Sequence, residues 1–544
     1  MVRNLLAKVL LWSAPLAFLG LFFIWPIAKI LSLGLVANWI QVFASQEIQS
    51  AIWFTLWQAL VSTAVCLVIG IPVAYVQYKR RFVAASFFKA LLTVPLVLPT
   101  IVVAIIFASF RKAHEIYSTI GMSFIADNSI YWIIVAHVFV NLAIVVRTVG
   151  SFWASLDPAI EEAAELAGAG RLRSFWFVAA PMLRPAIVSA SALTFLYCFT
   201  SFGIVLLLGG GLINSIETEI SVAATQFLDL QTAAALAILQ TIVTAIAFAF
   251  TERFSVSSFG LEQTDPAAPS KKLDNRDRPA LILTWVVVIV LVAIPVLLLL
   301  ARAFQTSNGL GFDNFINLAT RGDRDLLNIS VWQAALNSFR NLTLAASLSV
   351  ILGTLVAYMA SRVTPSKPMA ALNRILNSAF MLPMGISSVV LGFGYLVTFG
   401  SPPLEIRSQW IVLPIVQALM AMPLVIRLVY PALASIEREQ IESAETSGAT
   451  AGQIWRYIEL GLISTSFKTA VAFAMIVSIG EFGAASLLVS GDQATLSTVL
   501  YQLISRPGST NYGMAMAVAA LLVVLTAALV GVAGLKFKRN ARIA

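Results

Sequence analysis

The sequence predicts an all-α polytopic membrane protein: about twelve transmembrane helices in two parallel six-helix repeats, with N and C termini cytoplasmic. Three observations predict it. Apolar residues make up 59% of the chain and charged residues only 11%, against about 25% charge in a soluble domain. Apolar runs that meet the roughly 20-residue spanning requirement recur throughout, without the alternation that barrel strands would show. Finally, a polar, Ala- and Glu-rich stretch occurs twice, as ASLDPAIEEAAELAGAGRLRSFWFVAAP from Ala154 to Pro181 and ASIEREQIESAETSGATAGQIWRYIELG from Ala434 to Gly461.

Taken in order, the run at about 9–36 is too long for a cleaved signal peptide and lacks a clear cleavage site, so it reads as the first span. Spans two to six are predicted near 51–78, 86–110, 129–149, 185–209 and 230–251, the fifth ending at Gly209-Gly210-Gly211. They complete a first half over 1–251, whose polar segment occupies 154–185. A linker over 252–279, rich in charge, Ser and Pro, marks the boundary. The second half, 280–544, places spans near 280–304, 332–361, 371–399, 409–433, 465–489 and 512–535, with its polar segment at 434–464.

Basic residues gather at Arg3 and Lys8, at Lys79, Arg80, Arg81 and Lys89, in the linker, and at Lys536, Lys538, Arg539 and Arg542. These share one side if the spans alternate, which is the positive-inside signal of a cytoplasmic-membrane protein. The formal charge of +9 then needs a lipid bilayer and no nucleic acid. Trp12, Trp25, Trp132 and Trp410 fit interfacial anchoring.

The halves match beyond the polar segments. Gly70, Ala74 and Tyr75 in GIPVAY correspond to Gly353, Ala357 and Tyr358 in GTLVAY, and VPLVLP at 94–99 resembles LPMGIS at 382–387. Ser201-Phe202-Gly203 corresponds to Glu481-Phe482-Gly483, and Arg147 to Arg427. With an even number of spans per half, the copies insert in the same orientation, related by an axis along the membrane normal.

Each polar segment reads as a short helix, a turn at Gly168 or Gly448, and a second helix returning to the membrane. Alanine favours the helix and glycine the turn. Pro181 and Pro185 are expected to stop the return helix and start the next span. Glu161, Glu162, Glu165, Arg171 and Arg173 in the first copy, and Glu437, Glu442, Glu445 and Arg456 in the second, offer charge to a soluble partner. One copy would be an ordinary solvated loop. Two registered copies argue for docking.

The spacing resembles the EAA motif of importer-type ABC transporter permeases. The first copy supplies Glu162, Ala163, Ala164, Gly168, Val178 and Pro181, with Ala180 in place of Leu. The second supplies Glu442, Ala444, Gly448, Ile458 and Leu460, with Ser443 for Ala and Gly461 for Pro. The resemblance implies that each segment is a coupling helix seated on one of two copies of a cytoplasmic ATPase. A fused chain with two such segments looks most like the thiamine and ferric-iron importer permeases. FTSFGIVLLLGGG at 199–211, SIETEI at 215–220 and AFAMIVSIGEFGAASLL at 472–488 resemble the thiamine branch.

No GxxxxGK[ST] phosphate loop occurs, so ATP and Mg belong to the partner ATPase and no cofactor is expected in this chain. Neither the two histidines, His114 and His137, nor the two cysteines, Cys66 and Cys198, have metal-ligand spacing, and no catalytic constellation is found. Candidate pathway residues are His137, Asn141 one turn later, the aligned Gln417, Ser201, and Glu481, which reads as a carboxylate deep in span eleven and a counter-charge for a cation. Interhelical hydrogen bonding is the competing role for these groups. The outer loops, short apart from about 305–331, contain no evident substrate-binding domain and leave capture to an extracytoplasmic substrate-binding protein. An ion-coupled secondary transporter is the rival class, but it gives no reason for paired polar helices.

Overall fold

The computed structural model describes residues 12–82, 85–111, 129–254, 271–306, 309–361, 375–400, 402 and 404–535. Arg3, Lys8, His114, most of the linker and the basic tail from Lys536 lie outside the described residues. Among the described residues, nine helices are long and apolar enough to cross a membrane, and three sharply bent pairs bring the total to twelve. The strands are two short pairs: Arg80–Arg81 runs parallel to Lys271–Lys272, and Gln305–Thr306 antiparallel to Gly309–Leu310.

Spans three, five, nine and eleven depart from the single helices expected. Ala85–Val97 and Thr100–Phe110 meet at 101°, and Ile375–Gly385 and Ser388–Thr398 at 98°. These bends fall in VPLVLP and LPMGIS, where Pro99 cannot donate to a continuing helix and the Ser387 hydroxyl accepts from Val390 N to cap a new one. Span five stops at Phe199 and resumes as Gly203–Gly209. Span eleven stops at Gly480 and resumes as Gly483–Leu488. Glu481 therefore lies in a helix break, where its carboxylate accepts from Ala484 N at 2.7 Å and Ala485 N at 3.1 Å.

The chain divides into two compact units, neither a continuous stretch of sequence. One comprises Phe43–Glu219 and Ile242–Arg302, the other Met1–Val42, Ile220–Thr241 and Ala303–Ala544. The span Asn275–Ala303 thus lies almost wholly in the unit built from spans two to five. There Trp285 meets Phe88 edge-on at 4.4 Å. The first span, Trp12–Val36, belongs to the unit of the second repeat. In that unit the Tyr395 hydroxyl donates to Phe22 O at 2.7 Å, Trp25 meets Phe399 edge-on at 5.6 Å, and Trp12 stacks on Phe380. Trp12 and Trp25 thus pack on aromatic neighbours, and Trp132, expected as an anchor, is buried beside Phe107 and Phe110.

Within each unit the same contacts recur. Lipid tails are as apolar as leucine, so close van der Waals packing at small residues holds spans together. A Cβ on Gly70 would sit 2.6 Å from Val145 Cγ1, and one on Gly353 would sit 2.9 Å from Val425 Cγ1. The Thr55 hydroxyl accepts from Ile216 N in one unit, and the Ser338 hydroxyl from Leu496 N in the other. The duplicated sequence has folded twice in the same way.

Candidate functional site

Pro158–Leu166 forms the first polar helix and Arg438–Thr446 the second; neither buries a single residue. Both end alike. Gly168 N donates to Glu165 O and Ala169 N to Ala164 O, while Gly448 N donates to Glu445 O and Ala449 N to Ala444 O, all four at 3.0 Å. Gly168 takes φ +86° and Gly448 φ +85°, a left-handed helix stop that glycine adopts without a Cβ penalty. Residue by residue, 161–170 and 441–450 follow the same order of exposed and half-buried positions. Glu162, Ala163 and Glu442 are exposed; Ala164 and Ala444 are half-buried under them.

The return helices carry a π-bulge at matched places, Phe175–Ala179 and Ile454–Glu459. The expected stop at Pro181 and Pro185 does not occur. Helix Leu172–Phe199 runs through both prolines: Pro181 directly follows the bulge, whose widened turn accommodates a residue without an N–H, and Pro185 lies one turn further inside the helix. The break occurs in the other copy, where Ala451–Leu462 and Ser464–Gly480 meet at 78°. Ile458 and Leu460 lie half-buried before it, while Pro181 is exposed.

The copies differ in their support. Asp157 caps the first helix, its carboxylate accepting from Ala159 N at 2.9 Å, whereas Glu437 makes no such bond. Glu442 pairs with Arg438 on its own exposed surface at 2.6 Å. Glu161, expected on the docking face, instead accepts from Trp153 Nε1 at 2.8 Å and pairs with Lys79 at 3.4 Å. What charge counting missed is the apolar part of the surface. Leu166 is 90% exposed and Phe177 79%, with Leu172 and Trp176 exposed beside them. Large apolar side chains inside a polar segment were the available signal, since such patches mark interaction sites.

The pathway candidates are buried, and each reaches a neighbouring helix or its own break. Ser62 Oγ lies 3.4 Å from His137 Nδ1; Asn141 Nδ2 donates to His137 O and Cys198 Sγ; Gln417 Nε2 donates to Ser478 O at 2.9 Å. His137 Nε2, Asn141 Oδ1, Gln417 Oε1 and the Ser201 hydroxyl have no hydrogen-bond partner. Unmet polar atoms in a low-dielectric core are costly, so these positions suit water or a passing polar solute. Glu481 and Ser201 occupy equivalent breaks, and broken helices at membrane depth are tolerated where they are enclosed by protein or line a cavity. No group of three or more His, Cys, Asp or Glu able to hold a metal occurs among the described residues.

The sequence model of the family described as binding-protein-dependent transport system inner membrane component matches residues 66–256 and again 349–539. The thiamine transport system permease protein of Haemophilus influenzae is 26% identical over 90% of this chain and 89% of its own length. Its Brucella abortus namesake is 27% identical over 93% and 91%. The sulfate transport system permease protein of Salmonella typhimurium is 30% identical over 37% of this chain and 74% of its own length. The last match covers little more than one repeat, consistent with a duplicated chain.

Proposed function

This chain belongs to the family of binding-protein-dependent transport system inner membrane components, as a multi-pass inner-membrane permease, and from that premise we propose that it is the transmembrane subunit of an ATP-driven importer of thiamine or a related cation. The two polar helices are the coupling helices, each seated on one of two copies of a cytoplasmic ATPase that binds ATP and Mg. An extracytoplasmic binding protein delivers cargo. The observation that carries this reading is the repeated coupling geometry: two exposed helices with the same glycine stop, hydrogen bonds and order of exposure.

Force applied to Pro158–Leu166 or Arg438–Thr446 passes through the stop at Gly168 or Gly448 into the return helix. Each return helix leads to a break, at Ser201 or Glu481, close in sequence to the polar contacts of its own unit, Asn141 to Cys198 in one and Gln417 to Ser478 in the other. The carboxylate at the Glu481 break suits a cationic cargo, while the equivalent break at Ser201 offers only a hydroxyl. Glu481 is held by the backbone amides of Ala484 and Ala485, neutral donors that do not compete with a cation for the carboxylate.

The test is uptake of radiolabelled thiamine into proteoliposomes containing this chain, its ATPase and its binding protein. Uptake requiring all three components and ATP supports the proposal. Sustained uptake by the chain alone, driven by an ion gradient, would establish a secondary transporter instead.

A further inference from the structure

The first coupling helix is tied to the linker between the repeats, and the second has no equivalent. Within the unit of spans two to five, six residues close a ring. Asp277, at the end of the linker and 2% exposed, pairs with Arg80 at 3.1 Å and accepts from the Tyr75 hydroxyl at 3.2 Å. Arg80 also donates to that hydroxyl. The Tyr75 ring packs at 5.4 Å on Trp153, whose indole donates to Glu161 of the coupling helix. Glu161 pairs with Lys79, the neighbour of Arg80.

Asp277 is also held from its own side. It accepts from Asp274 N at 2.9 Å, closing a capping box at the start of span seven. Burying a carboxylate is costly without such partners. The backbone of Arg80–Arg81 also pairs in parallel with that of Lys271–Lys272, a second tie between the linker and the end of span two. In the second repeat the positions of Trp153 and Glu161 are taken by Leu433 and Ile441, and that of Arg80 by Val363. None of these can form the ring's polar bonds.

We propose that Asp277, acting through Arg80, Tyr75 and Trp153, is a positioning residue for the first coupling helix, so that the inter-repeat linker belongs to the coupling path of one half only. The inference rests on the coupling role given to Pro158–Leu166 above. It makes the two ATPase seats mechanically unequal: the first helix moves against an anchored ring, the second on its own turn.

The test compares Asp277→Asn and Tyr75→Phe with the unmodified full chain. Asparagine keeps an acceptor and loses the charge, and phenylalanine removes only the hydroxyl, so one variant reads out if the other fails to fold. Amide hydrogen exchange should speed by about fivefold or more across 158–166 and stay unchanged across 438–446. In the reconstituted transporter, thiamine moved per ATP hydrolysed should fall about threefold or more while the ATPase remains bound. Unchanged exchange across 158–166 in both variants, or equal acceleration across 438–446, overturns the proposal. The exchange measurement needs neither ATPase nor cargo. Failure of the unmodified chain to bind an ATPase would therefore sink the functional reading and leave the ring's role to be judged separately.

Discussion

Replacing Gly168 and Gly448 together by alanine should uncouple the ATPase from transport without disturbing membrane insertion. Space is not the obstacle, since a Cβ built on either residue meets nothing within 4 Å. The obstacle is the backbone, at φ +86° and +85°, where an L side chain crowds the following carbonyl at about 1–2 kcal/mol per residue. Every 1.4 kcal/mol is tenfold, so each substitution lowers the population of the native turn roughly five- to thirtyfold relative to unlatched alternatives. The sites belong to separate helices, and their costs should add. Gly170→Ala is the internal control, because Gly170 is equally open but carries no positive φ. Asparagine tolerates the left-handed region better than alanine, so Gly168→Asn/Gly448→Asn should fall between the double alanine variant and the original chain. The assay is ATP-driven thiamine uptake alongside pull-down of the ATPase. If the double alanine variant transports and binds like Gly170→Ala, the reasoning from φ fails.

Other perturbations follow from the same geometry. Asp157→Ala should remove a cap worth about 1 kcal/mol and loosen amide exchange across 158–166, whereas Glu437→Ala, which removes no cap, should leave 438–446 unchanged. Gly70→Ala should overpack against Val145 at a cost of about 1–3 kcal/mol, and Val145→Ala should recover most of the lost melting temperature in detergent. Outside the spans, burial pushes the Glu219 carboxyl above its usual range, the Asn214 hydrogen bond opposes the shift, and Glu47 adds to it. A raised folded-state value means stability is favoured while the group is protonated and is lost as pH rises through that value. Glu219→Gln should therefore raise the melting temperature at pH 8 and leave it unchanged at pH 4; equal shifts at both would contradict this.

The spans and the paired segments were legible because both are written in composition. A long apolar run can only be a span, and a charged, Ala-rich interruption at the same point of two halves can only be local structure outside it. Helix breaks leave a weaker trace. The sequence around Glu481 is as apolar as any helix, and nothing in its period announces that Gly480 ends one helix and Gly483 begins another. Pro181 misled for the opposite reason: it is a strong local stop signal, yet the helix runs on through it behind a π-bulge at Phe175–Ala179. Arg80 read as a solvated positive-inside residue, and Asp277 as part of a polar linker. Burial joins them across a separation in sequence that local pattern cannot bridge. The same holds for Tyr395 and Phe22.

The membership of the first span has a consequence for synthesis. Phe22, Trp25 and Pro26 leave the ribosome early, yet the surfaces they pack on, Tyr395, Phe399 and Gly394, are made hundreds of residues later, by which time spans two to six have been translated. The nascent helix can meet span six first, where Gly34 abuts Ile238, but its aromatic face must wait in lipid until the far end of the chain emerges. A gene cut at the linker would yield an amino-terminal fragment whose leading helix lacks its aromatic partners and whose spans two to five lack the seventh helix. Co-expression of both fragments, rather than either alone, is what could restore a native assembly.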